Sequence, residues 1–334
     1  MIKAILLSDD IEKLHTVYPK ETVEFLHRQA DLSSACLTSR DIREHPAQYR
    51  AVRYLFSTWG CPAFSEEELG ELLPSLECVF YAAGSVQYFA RPYLRRGIRI
   101  FSAWAANAVP VAEYTTAQIL LANKGFFTAS RYLSGGNRCA AQDAAAQYCG
   151  NYDVNVGIIG AGMIGKLVIQ SLKRHKVQVF VFDPFLPDAQ ASELGVQKCT
   201  LPFLFENCRT ISNHLANNAA TQGMLKGSLF EKMLPYATFI NTGRGAQVVE
   251  DDLIRVLTER PDLTAILDVT FPEPPVDGSP LYALENCILT PHIAGSTGNE
   301  VHRMAEYMRD EYLRYSMGQK CLYEVTEAML ETMA

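Results

Sequence analysis

The sequence predicts an α/β protein built from two doubly wound parallel-sheet domains. Three observations carry this reading. Short apolar runs alternate with amphipathic stretches along most of the chain, the pattern of parallel sheets covered on both faces. The length, 334 residues, suits two domains of roughly 150 residues each. A glycine-rich turn follows one of the later apolar runs directly.

The first third supplies one series. Lys3–Ser8, Tyr54–Thr58, Cys78–Ala83 and Ile98–Ala103 read as strands, with Phe64–Leu73 and Val86–Arg95 as intervening helices. Val111–Tyr132 reads as one long helix, apolar around much of its circumference and therefore buried in a core or an interface. A second series has strands at Val154–Ile159, Val177–Phe182, Thr210–Asn213, Phe239–Asn241, Ala265–Asp268 and Cys287–Thr290. Helices are expected at Lys226–Met233 and Glu250–Arg260, and a last one from Thr297 to Met317 leads into the C-terminal tail.

Bulk properties exclude several classes. A chain 48% hydrophobic and 20% charged can form ordinary cores without disulfides or metals. A net charge of -7 gives no general attraction for nucleic acid or anionic membranes. No stretch approaches the ~20 apolar residues of a membrane span. The N-terminal MIKAILLSDD reads as a first strand, not a signal peptide. Nine cysteines, an odd number with no CxxC, are expected to be reduced, mostly buried thiols of a cytoplasmic protein, with no metal site among them.

VNVGIIGAGMIG places Gly160, Gly162 and Gly165 as GxGxxG between a strand and a helix. The first glycine permits a tight turn, the second lets backbone approach a pyrophosphate, and the third lets helix and strand pack closely. The amides of Met163 and Ile164 then face phosphate at the positive helix end. Asp183 ends the next strand, where an acid accepts hydrogen bonds from an adenosine ribose. No Lys or Arg occurs from Pro184 to Gln197, which favours NAD over NADP. The structural alternative is an ordinary turn followed by an unrelated acid.

Three more segments end predicted strands, where open α/β sheets bind ligands. INTGRG carries Arg244, LDVTFPEP carries Asp268 and Glu273, and LTPHIAGST carries His292. Reducing a keto acid needs a cation for carboxylate and carbonyl oxygens, a role that fits the planar guanidinium. It also needs a proton donor near neutrality, which fits imidazole oriented by a carboxylate. Each residue has a bland alternative: Arg244 a loop brace, Glu273 a solvated acid between prolines, His292 a turn residue.

VGIIGAGMIGK, VFVFDP, NTGRGAQVVEDDL, LDVTFPEP and LTPHIAGST together resemble the D-isomer-specific 2-hydroxyacid dehydrogenases over nearly the whole chain. The resemblance implies a Rossmann NAD-binding domain, 105–297, inserted into a flavodoxin-like substrate domain, 1–104 and 298–334. It implies hydride transfer between NAD(H) and C2 of a small 2-hydroxy or 2-keto acid, with D specificity, in a cleft between domains. Arg244 would bind substrate, His292 would be the general acid/base and Glu273 its partner. Asp268 would contact the nicotinamide carboxamide side, and His214, Thr242 and Gly295 would line the cofactor. Ala216 stands where a proline is common, which leaves the shape of the His214 loop open. Val111–Tyr132 resembles the family's homodimer contact, with an internal packing helix as the alternative.

Backbone amides near Gly84 and Ser85 would grip substrate carboxylate, and Trp59 would offer an apolar wall or be plain core. No Lys or Arg lies between Arg53 and Arg91, which favours an unphosphorylated substrate, as does the lack of a region like the regulatory domain appended to long phosphoglycerate dehydrogenases. The alternatives are a phosphoglycerate dehydrogenase, an NADH-responsive corepressor-like binding protein, or a same-fold enzyme with another hydride donor such as formate.

Overall fold

β-branched and aromatic residues in short runs build the strands. In chain order these are β1 (Ala4–Leu7), β2 (Leu32–Leu37), β3 (Tyr54–Ser57), β4 (Cys78–Tyr81), β5 (Arg99–Ser102), β6 (Tyr152–Ile159), β7 (Lys176–Phe182), β8 (Gln197–Lys198), β9 (Thr210–Asn213), β10 (Thr238–Asn241), β11 (Thr264–Leu267), β12 (Cys287–Leu289) and β13 (Glu324–Val325). The computed structural model describes residues 3–331. The outermost residues of the expected substrate domain, 1–2 and 332–334, lie outside them.

The chain divides into two units, one of residues 1–107 and 296–334, the other of residues 108–295. Sequence placed the junctions at 104/105 and 297/298. The first observed division falls inside the continuous helix Trp104–Asn123, where no break in sequence pattern marks it.

In the first unit the sheet order is β13-β5-β4-β3-β1-β2. β1 to β5 are parallel, in the flavodoxin-like 2-1-3-4-5 order, and β13 closes the β5 edge antiparallel. Alternate strand residues face opposite sides. Ile5, Leu7, Leu55, Val79 and Ile100 join Phe64, Leu69 and Tyr93 in one core. Ala4, Leu6, Phe56, Phe80 and Phe101 join Leu14, Leu26, Met304 and Met308 in the other. The second unit has the order β12-β11-β10-β9-β6-β7-β8, all parallel, with cores on both faces. Read from β6, that is the 3-2-1-4-5-6 Rossmann order with one strand added.

Several expectations need correction. The stretch Val111–Tyr132 is not one helix but parts of two, Trp104–Asn123 and Phe126–Ser134. They break at Gly125, whose φ of +67° is left-handed and whose missing side chain makes room for the Tyr148 ring. β2, β8 and β13 were absent from the reading. β2 is the polar edge strand LSSACL, and the other two are only two residues long. The cysteines are free, but only Cys61, Cys78 and Cys208 are buried; Cys139 and Cys149 are exposed. Burial pushes the Cys61, Cys78 and Cys208 thiols up to about 12, so they stay protonated. Among the described residues no helix is long and apolar enough to cross a membrane.

The C-terminal edge of the first sheet depends on one buried carboxylate. Glu311 is fully buried and accepts from the amides of Leu322 and Tyr323 and from Arg314 Nη1 at 2.7 Å. These bonds fold the chain back from the last long helix toward β13. Glu311→Leu leaves the Leu322 and Tyr323 amides unpaired and is expected to cost about 1–3 kcal/mol. Urea unfolding measures this as a lowered midpoint with an unchanged slope; an unshifted midpoint would show that the bonds contribute nothing.

Candidate active site

Strand register lines up the site. In the second sheet Ile159 pairs with both Phe182 and Asn213, Asn213 with Asn241, Asn241 with Leu267, and Leu267 with Leu289. These six residues end their strands in one row. The next residue on each strand is Gly160, Asp183, His214, Thr242, Asp268 and Thr290 respectively. A parallel ladder therefore delivers six candidate side chains or turns to one sheet edge. The order reverses between β6 and β9, which places Gly160 and His214 at the switch point where such sheets take ligands.

The three glycines have distinct reasons. Gly160 has φ +89°, and a Cβ there would meet the His214 carbonyl at 2.9 Å. Gly165 would press a Cβ to 2.1 Å from the Gly160 carbonyl, so the helix Met163–Leu172 crosses the strand end only with glycine there. Gly162 is different: a Cβ would meet nothing within 4 Å. The protein's own packing does not require that glycine, and the open space fits close approach by a dinucleotide phosphate. Gly162 caps the helix, and the amides of Met163 and Ile164 lie in its first turn, which lacks intrahelical acceptors. Asp183 accepts from the amides of Ala161 at 2.7 Å and Phe185 at 2.8 Å, which ties the acid to the glycine turn.

Asp268 is buried and organises the histidine turn. Its Oδ1 accepts from Thr290 Oγ1 at 2.6 Å and the Ile293 amide at 2.8 Å; its Oδ2 accepts from the Ala294 amide at 2.9 Å. Between these anchors His292 adopts a left-handed φ of +54°, a conformation that costs an L-residue about 1–2 kcal/mol. The turn aims His292 Nδ1 at Glu273 Oε1, 2.6 Å away. With Nδ1 engaged by this carboxylate, Nε2 is the ring nitrogen left for another partner. Glu273 sits in a loop with cis bonds at Phe271-Pro272 and Glu273-Pro274. Gly295 follows the Asp268-bound amides directly.

Arg244 stands two residues beyond Thr242. Burial pulls its guanidinium pKa down, while the negative charge of Glu273 raises it. An arginine remains charged under either influence. Its Nη1 donates to the Gly243 carbonyl at 2.7 Å. Glycine is required on both sides of it. A Cβ at Gly243 would meet Asn213 Nδ2 at 2.9 Å, and one at Gly245 would meet the Thr270 carbonyl carbon at 2.0 Å. The second unit thus brings a half-buried cation, a carboxylate and an imidazole to one edge. That set can bind an anion, polarise a carbonyl and deliver a proton.

Sequence reasoning missed the polar residues behind this edge. Thr115 Oγ1 lies 3.2 Å from Thr242 Oγ1, and the Tyr114 hydroxyl lies 3.2 Å from Thr290 Oγ1. Asn213, Asn241 and Gln247 are buried and joined by side-chain hydrogen bonds. One signal was present: Asn213 and Asn241 each end an apolar strand, an unusual place for an amide unless its hydrogen bonds are met.

Residues 116–294 match the family model for the D-isomer specific 2-hydroxyacid dehydrogenase, NAD binding domain. The chain belongs to the D-isomer-specific 2-hydroxyacid dehydrogenase family. Among relatives, it is 30% identical to D-3-phosphoglycerate dehydrogenase of Archaeoglobus fulgidus over 203 residues, 61% of this chain and 38% of that protein. It is 28% identical to glyoxylate reductase of Korarchaeum cryptofilum over 258 residues, 76% of this chain and 77% of that one. The match therefore spans well under half the length of the phosphoglycerate dehydrogenase. The apo D-mandelate dehydrogenase of Rhodotorula graminis shares the fold, with a TM-score of 0.81, 19% identity and 98% of each chain covered.

The second unit is thus this family's NAD-binding domain. Of the residues foreseen as substrate contacts, Arg244 lies in it, while Trp59, Gly84 and Ser85 lie just beyond strand ends of the first unit. Trp59 is half-buried against both cores of that unit, and its carbonyl accepts from Ser8 Oγ at 2.7 Å. The Gly84 carbonyl accepts from Ser102 Oγ at 2.6 Å, and Ser85 is exposed. An earlier helix brings a cation to this stretch: Lys13 Nζ lies 5.9 Å from the Trp59 ring, paired to Asp10 at 3.7 Å.

His214 is buried, with Nε2 3.0 Å from Ser212 Oγ and Nδ1 3.5 Å from Thr242 Oγ1. Burial pushes its pKa down to about 3. The unfolded chain has the ordinary value of about 6.5, so it binds the proton first as pH falls. The stability His214 contributes is complete above about pH 6.5. It is lost below that at about 1.4 kcal/mol per pH unit until the folded-state pKa is reached. Urea unfolding at pH 7 and pH 5 is expected to show a steeper acid loss for the native chain than for His214→Gln. Parallel losses would contradict the buried neutral imidazole.

Proposed function

We propose that this chain is an NAD-dependent dehydrogenase that reduces a small, unphosphorylated 2-keto acid to its D-2-hydroxy acid, or runs the reverse. The observation that carries the reading is the Glu273–His292 pair at 2.6 Å beside the half-buried Arg244, on the same sheet edge as the glycine turn. Gly160, Gly162, Met163, Ile164 and Gly165 would hold the pyrophosphate, and Asp183 the adenosine ribose. The carboxylate of Asp183 favours NAD, since it would repel a 2′-phosphate. His214, Thr242, Asp268 and Gly295 would line the nicotinamide half.

Bound NADH supplies the hydride. Arg244 fixes the substrate carboxylate and polarises the ketone, as a planar guanidinium can. As hydride adds to C2, the carbonyl π electrons move onto oxygen. Protonated His292 gives its Nε2 proton to that oxygen and is left neutral. Glu273 holds the ring in place through Nδ1. Asp268 keeps the histidine turn in place while lining the cofactor. Trp59, Gly84 and Ser85 are offered as substrate contacts.

The lack of Lys and Arg between Arg53 and Arg91 supports an unphosphorylated substrate, and Lys13, the cation beside Trp59, is already paired. The phosphoglycerate dehydrogenase relatives favour the other reading, a phosphorylated substrate. Exposed Phe126 and Leu133 on the helix Phe126–Ser134 support a homodimer through the NAD-binding domain. Free cysteines fit a reducing, cytoplasmic setting.

A panel of glyoxylate, pyruvate, hydroxypyruvate and 3-phosphohydroxypyruvate, followed by loss of NADH absorbance, tests the reading. Turnover of an unphosphorylated acid is expected. Arg244→Ala and His292→Ala should each lower kcat/KM by about 100-fold or more, with NADH affinity kept within a few-fold. Unchanged kcat in both variants removes the assignment. Fastest turnover of the phosphorylated acid reverses the substrate choice.

A further inference from the structure

Gln247 is fully buried and uses every hydrogen-bonding position of its amide. Its Oε1 accepts from the Arg244 amide at 3.2 Å and from Asn213 Nδ2 at 2.6 Å. Its Nε2 donates to the carbonyls of Leu215 at 2.8 Å and Ala216 at 3.0 Å. Turning the amide over would set donors against donors and oxygens against oxygens, so one orientation is fixed. Asn241 completes the grip: its Nδ2 donates to the Arg244 carbonyl at 3.1 Å, and its Oδ1 accepts from the Gly243 amide at 3.1 Å. Both backbone polar groups of Arg244 are thereby held by buried side-chain amides.

The partners of Gln247 come from two loops with different tasks under the reading above. One side is the turn that presents Arg244 to the substrate. The other is the loop following His214, on the cofactor side. We propose that Gln247 is a positioning residue that locks the Arg244 turn to the His214–Asn218 loop, so that the substrate cation and the cofactor loop are set as one piece. The proposal rests on the assignment of Arg244 to substrate and of the His214 loop to cofactor. Nothing about Gln247 itself touches a reacting atom. Its effect passes through the two backbones it joins. The backbone also ties this turn to the segment just beyond that loop, since the Leu225 amide donates to the Gln247 carbonyl at 2.9 Å and the Gly223 amide to the Ala246 carbonyl at 2.9 Å.

Two variants separate positioning from mere stability. Gln247→Leu keeps the volume and removes all four hydrogen bonds. It is expected to weaken NADH binding and to raise the keto-acid KM, each by about tenfold, at temperatures where the variant is folded. Gln247→Glu keeps the oxygen that accepts from Arg244 and Asn213 but sets a second oxygen against the carbonyls of Leu215 and Ala216. It is expected to split the effects: NADH affinity falls about tenfold, while the keto-acid KM at saturating NADH stays within about threefold of the native value. A purely structural role would lower Tm in both and leave this split absent.

NADH affinity is read by its fluorescence and needs no substrate. If the native chain binds NADH but reduces no acid, the proposed reaction fails while the Gln247→Glu affinity still decides the cofactor half of the link. If Gln247→Leu does not fold, Gln247→Glu alone decides. Native NADH affinity in Gln247→Glu, or a KM that rises in step with the lost affinity, would overturn the proposal. Failure of the native chain to bind NADH would overturn it as well.

Discussion

The site depends on the register of one parallel ladder. Six strands of the second unit end in the same row, and the backbone bonds continue one residue further: the Gly160 amide donates to the Phe182 carbonyl, His214 to Ile159, Asp268 to Asn241 and Thr290 to Leu267. A slip of one residue in any strand would turn its terminal side chain to the other face of the sheet. Apolar alternation forbids that slip, because residues such as Phe239 and Ile240, or Ala265 and Ile266, are buried in different cores. Burial on both faces thus fixes where chemistry can be placed. The geometry of the proposed site is a by-product of core packing carried to the strand ends.

Beyond the ladder, polar groups take over. Buried Asp268 offsets the cost of the left-handed His292 by satisfying two amides and a hydroxyl of the turn. Gln247, Asn213 and Asn241 do the equivalent for Arg244. In each case a buried acceptor or amide fixes a backbone turn, and the turn fixes a functional side chain. Such groups are costly to bury unpaired, so each network acts as a unit with one low-energy arrangement. The glycines at 243 and 245 are part of the same constraint, since no side chain fits beside the arginine turn.

Much of this was legible in the sequence. The glycine motif, the acid at 183 and the strand-end positions of Arg244, Asp268 and His292 follow from short apolar runs and the residues that end them. What escaped was of two kinds. Edge strands such as β2 and β13 carry polar or very short patterns, because an edge lacks one neighbour and needs less apolar surface. Long-range side-chain networks leave no periodic trace: Gln247 meets Leu215 and Asn213 across more than thirty positions, and Lys13 reaches Trp59 from a helix far earlier in the chain. The break at Gly125 was hidden because the apolar character of Val111–Tyr132 runs straight through it, while the reason for the break, the Tyr148 ring, lies downstream.

The central claim is that the row of strand ends brings nicotinamide, Arg244 and His292 to one reaction centre. A crystal structure of the chain with NADH and oxamate tests it most directly. The account expects the pyrophosphate over Gly162, the oxamate carboxylate on the Arg244 guanidinium, and His292 Nε2 within hydrogen-bonding distance of the oxamate carbonyl oxygen beside nicotinamide C4. A nicotinamide ring turned away from His292, or a dinucleotide bound elsewhere with the glycine turn empty, would contradict it.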